Sequence, residues 1–303
     1  MSNGFSYKDA FSDAQKINWR VEEIIGGEKR LDFGKPFLPE SLARVQRLGF
    51  LAPEQRRVLN QIRGHEYLAM FGLVEEFILP YVVDHARAQL SGDDYRVRAL
   101  LQFAGEEAKH IHLFKRFRQE FEAGFGSRCE FIGPAEEVRQ FVLSHSALGV
   151  GLAILHIEWI TLRHYIEGVR DNQDLDPQFK SLLKHHWLEE SQHTKLDTLI
   201  VEELVGKASG REIDRAFEEY GAIGGFIDEG LKRQAEFNVE AFVAATGRDL
   251  TRSEREEMSG AVLQGMRWTY LGTGMTHPNF LATVEKIKPE AKSHIQAMAP
   301  AFC

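Results

Sequence analysis

Residues 186–193 read His186-Trp187-Leu188-Glu189-Glu190-Ser191-Gln192-His193, and this octet organises the reading of the chain. At about 100° per residue on a helix, His186, Glu190 and His193 fall on one face. Glu190 and His193, three residues apart, can then reach one ion together. A second Glu-x-x-His motif lies upstream as Glu107-Ala108-Lys109-His110. One such motif is commonplace on a solvated helix; two on separate helices of one array are a ligand pattern.

The flanking sequence supplies the helices. After Pro53 the apolar period is helical, and long helices are expected at about 54–90, 93–124, 134–169 and 177–206. Gly92-Asp93-Asp94 precedes the second, Gly133-Pro134 opens the third, and Asp176-Pro177 opens the fourth with a cap residue before a first-turn proline. Each helix would be on the order of 45 Å long. Short connections make neighbours antiparallel, as in a four-helix bundle. Residues 1–53 form an N-terminal arm, interrupted by Pro36 and Pro39, with only short helices. Further helices are expected at about 209–245, with a weak point at Gly221–Gly225, then 252–270 and 279–295. Thr251-Arg252-Ser253-Glu254 suits a capping box. No Pro-, Gly- or Ser-rich linker divides the chain, so 1–303 is read as one all-α domain: bundle core 54–206, arm 1–53 and extra helices 207–303.

The first and third helices each offer a carboxylate on an apolar stripe. Glu158 lies among Gly151, Leu155, Leu162 and Tyr165. On the first helix Glu75 lies among Leu68, Phe71, Gly72, Leu79 and Val82, with Glu76 rotated toward the edge; Pro80 is expected to kink this helix, so Glu75 is favoured and Glu76 stays open. Buried unpaired carboxylates each cost several kcal/mol, and Glu75, Glu107, Glu158 and Glu190 facing one interior would also repel one another. No Lys or Arg takes the matching central positions. Two divalent cations would balance four carboxylates, with imidazole nitrogens completing the shells, the layout of ferritin-like di-iron and di-manganese bundles. Donors without thiolate suit Fe or Mn better than structural zinc. The expected cofactor is therefore two Fe ions, with Fe/Mn as the variant. His186 is a candidate third histidine ligand, against the plainer reading of a buried, hydrogen-bonded imidazole. Glu106 and Glu189, each preceding a motif glutamate, are placed to accept the free N–H of the opposite helix's histidine.

Glu107-x-x-His110, Glu158 and His186-x-x-x-Glu190-x-x-His193 together resemble the ligand set of the arylamine N-oxygenases typified by p-aminobenzoate N-oxygenase, within the ferritin-like di-iron carboxylate oxygenases. The resemblance covers about 75–195 and departs in one respect: the first-helix glutamate lies closer to Glu107 than that family's spacing leads one to expect. It implies a non-haem di-iron enzyme that activates O₂ and oxidises a small molecule, by N-oxygenation of an amine or by hydroxylation or desaturation at a C–H bond. Such an enzyme needs O₂, a small-molecule substrate and an electron donor.

The bulk properties narrow the alternatives. A net charge of −8 and a pI near 5.9 disfavour nucleic-acid and anionic-membrane surfaces. Two cysteines, Cys129 and Cys303, make neither a disulfide framework nor a thiolate metal site. The segment Met1–Gln15 carries Lys8, Asp9 and Asp13 and lacks a signal-peptide core, and Phe141–Ile160 contains His145, His156 and Glu158, so no membrane span is expected and the cytoplasm is the default compartment. A ferroxidase or iron-storage subunit is the alternative reading. The arm and the extra C-terminal helices suit a substrate pocket or a homodimer interface better than a cage. A radical-generating subunit is the third reading, with Tyr165 as its radical candidate.

Overall fold

A computed structural model describes residues 4–303. The arm contains α1 (Tyr7–Ala14), a 3₁₀ turn (Val21–Glu23) and α2 (Glu40–Ala43). The bundle contains α3 (Pro53–Arg87), α4 (Asp94–Phe125), α5 (Ala135–Leu143), α6 (Ala147–Arg163) and α7 (Pro177–Lys207). Beyond it lie α8 (Gly210–Thr246), α9 (Arg252–Arg267), α10 (Thr273–Met275), α11 (Pro278–Ile287) and α12 (Pro289–Met298). No strand occurs among the described residues, and none of their helices is long and apolar enough to cross a membrane.

The core is a four-helix bundle: α3 packs along α4, α6 along α7, and α4 against α7. Local chemistry sets the ends. The Asp93 carboxylate accepts from Tyr95 N–H at the start of α4, and Gly126 closes that helix at φ +77°, a left-handed turn that an L side chain resists. Asp176 starts α7 by accepting from Phe179 N–H at 2.6 Å, and its other oxygen accepts from Asp32 N–H, tying the arm to the bundle. Asn60 fastens the arm to α3, accepting from Phe37 and Leu38 N–H and donating to Leu38 C=O. The inner stripe of α4, with Phe103, Phe114, Phe117 and Phe121, is fully buried. Each such side chain contributes about 1.5–3 kcal/mol of transfer free energy.

Three expected boundaries are corrected. The helix read as 134–169 is broken at Ser144–Ser146 into α5 and α6. Ser146 caps α6 by accepting from Gly149 N–H, and its own N–H is taken by the Glu219 carboxylate of α8 at 2.9 Å. That partner is distant in sequence, so no local signal announces the break. After Arg163 the chain runs on as a π-helical turn, His164–Val169. The helix read as 279–295 is divided at Lys288, which is driven to extended backbone by Pro289. The weak point at Gly221–Gly225 is absent: α8 runs unbroken through it, packed against α3, α6 and α9. Each glycine there still costs about 0.8–1 kcal/mol relative to alanine. Pro80 likewise lies inside α3 without ending it.

A second buried polar group lies where α3 meets α8 and the π-helical turn Trp268–Gly272. Arg63 is ion-paired with Glu66, whose carboxylate also accepts from Tyr270 O–H and Asn238 N–H. Arg63 and Glu66 are fully buried, so each is tolerable only because the other is present. Arg63→Met should destabilise the protein by about 3–5 kcal/mol in urea unfolding. The double variant Arg63→Met/Glu66→Met should recover much of that loss. Equal losses in both variants would mean that the pair is not coupled.

Candidate metal centre

The side chains singled out in the sequence come from all four bundle helices and meet at its centre. From α3, α4 and α7, the ligand atoms of Glu75, His110, His186 and Glu190 lie within 4.8 Å of one another, as do those of Glu107, His110, Glu190 and His193. His110 and Glu190 belong to both groups and therefore sit between two candidate ion positions. His186 Nε2 is 3.0 Å from Glu75 Oε1 and 3.1 Å from Glu190 Oε1. His193 Nδ1 is 2.9 Å from Glu107 Oε1, and His110 Nδ1 is 3.2 Å from Glu190 Oε1.

Glu75 and Glu76 part company here. Glu75 is buried and faces His186 and His110. Glu76, one residue or about 100° further round the helix, lines an outer groove with Lys115 and Arg118. Glu158, from α6, lies outside both four-residue groups but is buried at their edge beside Glu190. Glu106 and Glu189 reach across the bundle. His193 Nε2 lies 2.9 Å from Glu106 Oε2, and His110 Nε2 lies 2.8 Å from Glu189 Oε2. Both imidazoles thus turn Nδ1 toward the centre and keep Nε2 on a carboxylate, which holds ring orientation and tautomer. Lys109 also bonds Glu189.

Electrostatics sharpen the case for cations. Burial works against charge on His110, yet the Glu189 carboxylate that accepts from its Nε2–H, with Glu190 and Glu75 close to its Nδ1, holds its pKa well above the ordinary imidazole value. His193 is raised likewise, against its burial, by Glu190 and Glu106. Burial and the adjacent Glu190 push the Glu158 carboxyl well up. Glu190, though buried, is held well down by His186 and His193. Without metal, protons carry the positive charge that the carboxylates require.

The polar atoms left over identify what fits. Glu107 Oε1 and Oε2, Glu75 Oε2, Glu158 Oε2, Glu190 Oε1, His110 Nδ1 and His193 Nδ1 are all buried without a hydrogen-bond partner. Orphaned buried polar atoms are rare in folded proteins. Single ones such as Arg96 Nε and Trp159 Nε1 are scattered elsewhere, but these carboxylate and imidazole atoms belong to one cluster of hard oxygen and imidazole donors. That donor set fits two divalent ions such as iron or manganese.

Two features were missed in the sequence. Asp197 of α7 is buried with both oxygens unpartnered, and burial pushes its carboxyl well up. Its step of seven from Glu190 and four from His193 puts it on the same helix face, so the wheel that found the ligands could have found it. Trp19, from the arm, stacks on His110 with ring centres 6.2 Å apart and planes at 8°, while the Lys109 ammonium lies 3.8 Å from its ring centre. No periodic signal in the irregular arm could place that ring. Tyr165 stacks on Trp187 with ring centres 4.7 Å apart. Of the other histidines, His65 lies against Phe121, His277 is stacked on Trp159, and His112 is exposed.

An apolar cavity of about 230 Å³ lies among α3, α5, α6 and α8, and its wall residue Phe71 packs against the His186 ring with centres 5.9 Å apart. Phe71, Val74 and Phe77 line it from α3, and Ile157 and Ile160 from α6. These residues bracket Glu75 and Glu158 in sequence.

No protein-family model matches the sequence. No curated protein sequence matches it either. Solved structures of similar fold are R2-like ligand-binding oxidases. A variant with an aerobically reconstituted Mn/Fe cofactor is 12% identical, with a TM-score of 0.48 over 89% of this chain and 97% of that one. A variant with an aerobically reconstituted Fe/Fe cofactor is 13% identical, with a TM-score of 0.47 over 88% and 93%.

Proposed function

We propose that this chain is an O₂-dependent di-iron oxygenase, with Fe/Mn as the alternative loading, acting on a small organic amine. Glu75 and His186 would hold one ion and Glu107 and His193 the other; Glu190 could serve both, His110 only one of them through its single inward Nδ1, and Glu158 would close the shell from α6. The observation that carries this reading is the convergence of unpartnered, buried carboxylate and imidazole atoms from all four helices. Reduced iron in such a setting supplies the electrons that activate O₂. Overall, one oxygen atom would go to the substrate and the other to water, with two electrons and two protons from an external donor.

The chain's own residues do the rest. Glu106 and Glu189 orient His193 and His110 and raise their basicity. Phe71, Val74 and Ile157 keep water from the side on which substrate would lie and leave an apolar face for it. The third histidine, His186, supports oxygen transfer to nitrogen over attack on an unactivated C–H bond, as in the family that the ligand pattern resembles. Iron handling is the alternative activity, and the arm argues against it, because Trp19 closes over His110.

The test is O₂ uptake by protein loaded anaerobically with Fe(II), with a chemical reductant and a panel of aryl and alkyl amines. Uptake should depend on the amine and yield a product heavier by one oxygen atom. Glu107→Ala should lower the rate by about 100-fold or more. Amine-independent uptake, with many irons accumulating per chain, would establish iron handling instead. Oxidation confined to C–H bonds would keep the oxygenase and discard nitrogen as the target.

A further inference from the structure

A second cavity is larger than the one lined by Phe71 and Ile160. A cleft of about 1020 Å³ lies between α6, α8, α12 and the turn Trp268–Gly272. Its walls are apolar, with Phe217, Ile223, Leu271, Ile295 and Met298 among them. Ile157, Ile227 and Tyr270 line both this cleft and the smaller cavity, so the two are separated by one layer of side chains. Ile157 directly precedes Glu158.

Two observations indicate what the cleft takes. The first is the glycine run on α8. Gly221, Gly224 and Gly225 line the cleft, and a Cβ added at any of them would meet nothing within 4 Å. Close packing therefore does not require them, and helix propensity opposes them. What they preserve is open space along the cleft. The second is charge. Asp214, Glu218, Asp228, Glu229 and Glu290 line the cleft against one lysine, Lys288. Asp214 is paired with Lys288, Asp228 with Arg267, and Glu229 with Lys232. Glu218 and Glu290 form no ion pair with a described residue, and they leave the cleft net negative.

We propose that this cleft is a binding chamber for an amphiphilic amine, an extended apolar body whose ammonium group lies among the carboxylates of α8 and α12. The inference deepens the function proposed above by naming the class of substrate. It rests on that reading for the fate of the bound amine, though not for its binding. The volume stands at the upper end of the range for small-molecule sites, so a single-ring arylamine would leave most of the chamber unfilled. A cation is favoured over an anion by both unpaired glutamates, and the apolar walls supply most of the affinity.

The experiment is calorimetric titration of dodecylamine, dodecanol and dodecanoate, below their aggregation concentrations, into metal-loaded and metal-free protein. Dodecylamine should bind about fivefold tighter than dodecanol and about twentyfold tighter than dodecanoate, the scale of one partly exposed ion pair gained or one repulsion added. Glu218→Gln/Glu290→Gln should abolish the ranking while keeping the dodecanol affinity. Gly224→Phe should weaken all three probes by about tenfold or more by filling the chamber, with metal content and melting midpoint unchanged. Dodecanoate binding as tightly as dodecylamine would overturn the proposal, and so would undiminished binding to Gly224→Phe. A concentration-dependent dimer that blocks all three probes would also overturn it, since a second copy would then fill the cleft. Probe binding as expected, in loaded and metal-free protein alike, without amine turnover would leave the chamber standing and discard the oxygenase.

Discussion

Glu190→Ala is expected to reduce bound metal from about two ions per chain to nearly none. Glu190 belongs to both groups of converging ligand atoms, and its Oε1 lies between His186 at 3.1 Å, His110 at 3.2 Å and His193 at 3.3 Å. Removing it takes a carboxylate from each ion and leaves three buried imidazoles around a void. Glu75→Ala and His186→Leu should each weaken one ion only, because both residues belong to a single group. Glu107→Ala should weaken the other. Replacing Glu106 or Glu189 with glutamine should lower affinity by about 10- to 100-fold, the usual consequence of losing a carboxylate behind a metal-bound histidine. Elemental analysis by mass spectrometry after loading with Fe(II) or Mn(II), alongside circular dichroism for helix content, checks all of these. Two ions retained by folded Glu190→Ala would sink the assignment. So would uniform loss across every variant, which would signal general misfolding.

The second large effect is the response of metal-free protein to pH. His110, His186 and His193 have raised pKa values in the folded state, against an ordinary 6.5. The stability they add is complete below that value and is lost as pH rises through the folded-state value. Glu158 and Asp197 are raised from 4.5 and 3.8, so above those values the unfolded chain ionises while the folded one resists, and stability falls again with rising pH. Glu190 acts in the opposite sense, but its lowered pKa places its contribution below pH 4.5. Between pH 5 and 8 these groups of the centre point one way. His65, His156, His164 and His277, whose pKa values burial lowers, gain stability as pH rises toward 6.5 in loaded and metal-free protein alike. The metal-free melting temperature should therefore fall relative to that of loaded protein. Metal replaces the protons, so loaded protein should be much less sensitive. At an ion concentration about 1,000 times Kd the stabilisation is about 4 kcal/mol, which at this chain length is roughly 6 °C in melting midpoint. The gap between loaded and metal-free protein should reach that scale at pH 8 and shrink toward pH 5. Asp197→Asn should raise the metal-free midpoint at pH 8, since it removes one buried acid that must stay protonated. Differential scanning calorimetry across the range decides the matter, and a gap constant with pH would count against clustered, buried carboxylates.

Much of the centre was legible in the chain because its grammar is local. Spacings of three, four and seven residues put Glu107 with His110, and His186 with Glu190 and His193, on single faces whatever those helices pack against. The boundaries of α4 and α7 were close to those expected because Asp93 and Asp176 cap them from the adjacent residue. The apolar stripe around Glu158 showed that a carboxylate would be buried. It could not show that Glu158 would lie beside Glu190 at the edge of the two ligand groups.

What tertiary structure alone decided lies between helices. Glu75 over Glu76 depends on how α3 is rotated toward α7. The exchange of Glu106 with His193 and Glu189 with His110 depends on the registry of α4 against α7, and the break before α6 depends on Glu219, more than 70 residues away. The stacking of Trp19 on His110 depends on where an irregular arm is pinned by Asn60 and Asp176. The glycines of α8 read as a breaking point in sequence, yet they remain helical because α3, α6 and α9 supply packing that local propensity lacks. Helical periodicity comes from the geometry of one backbone and is written in neighbouring residues. Rotation, registry and empty space are set by side chains far apart in the chain, and no local pattern carries them.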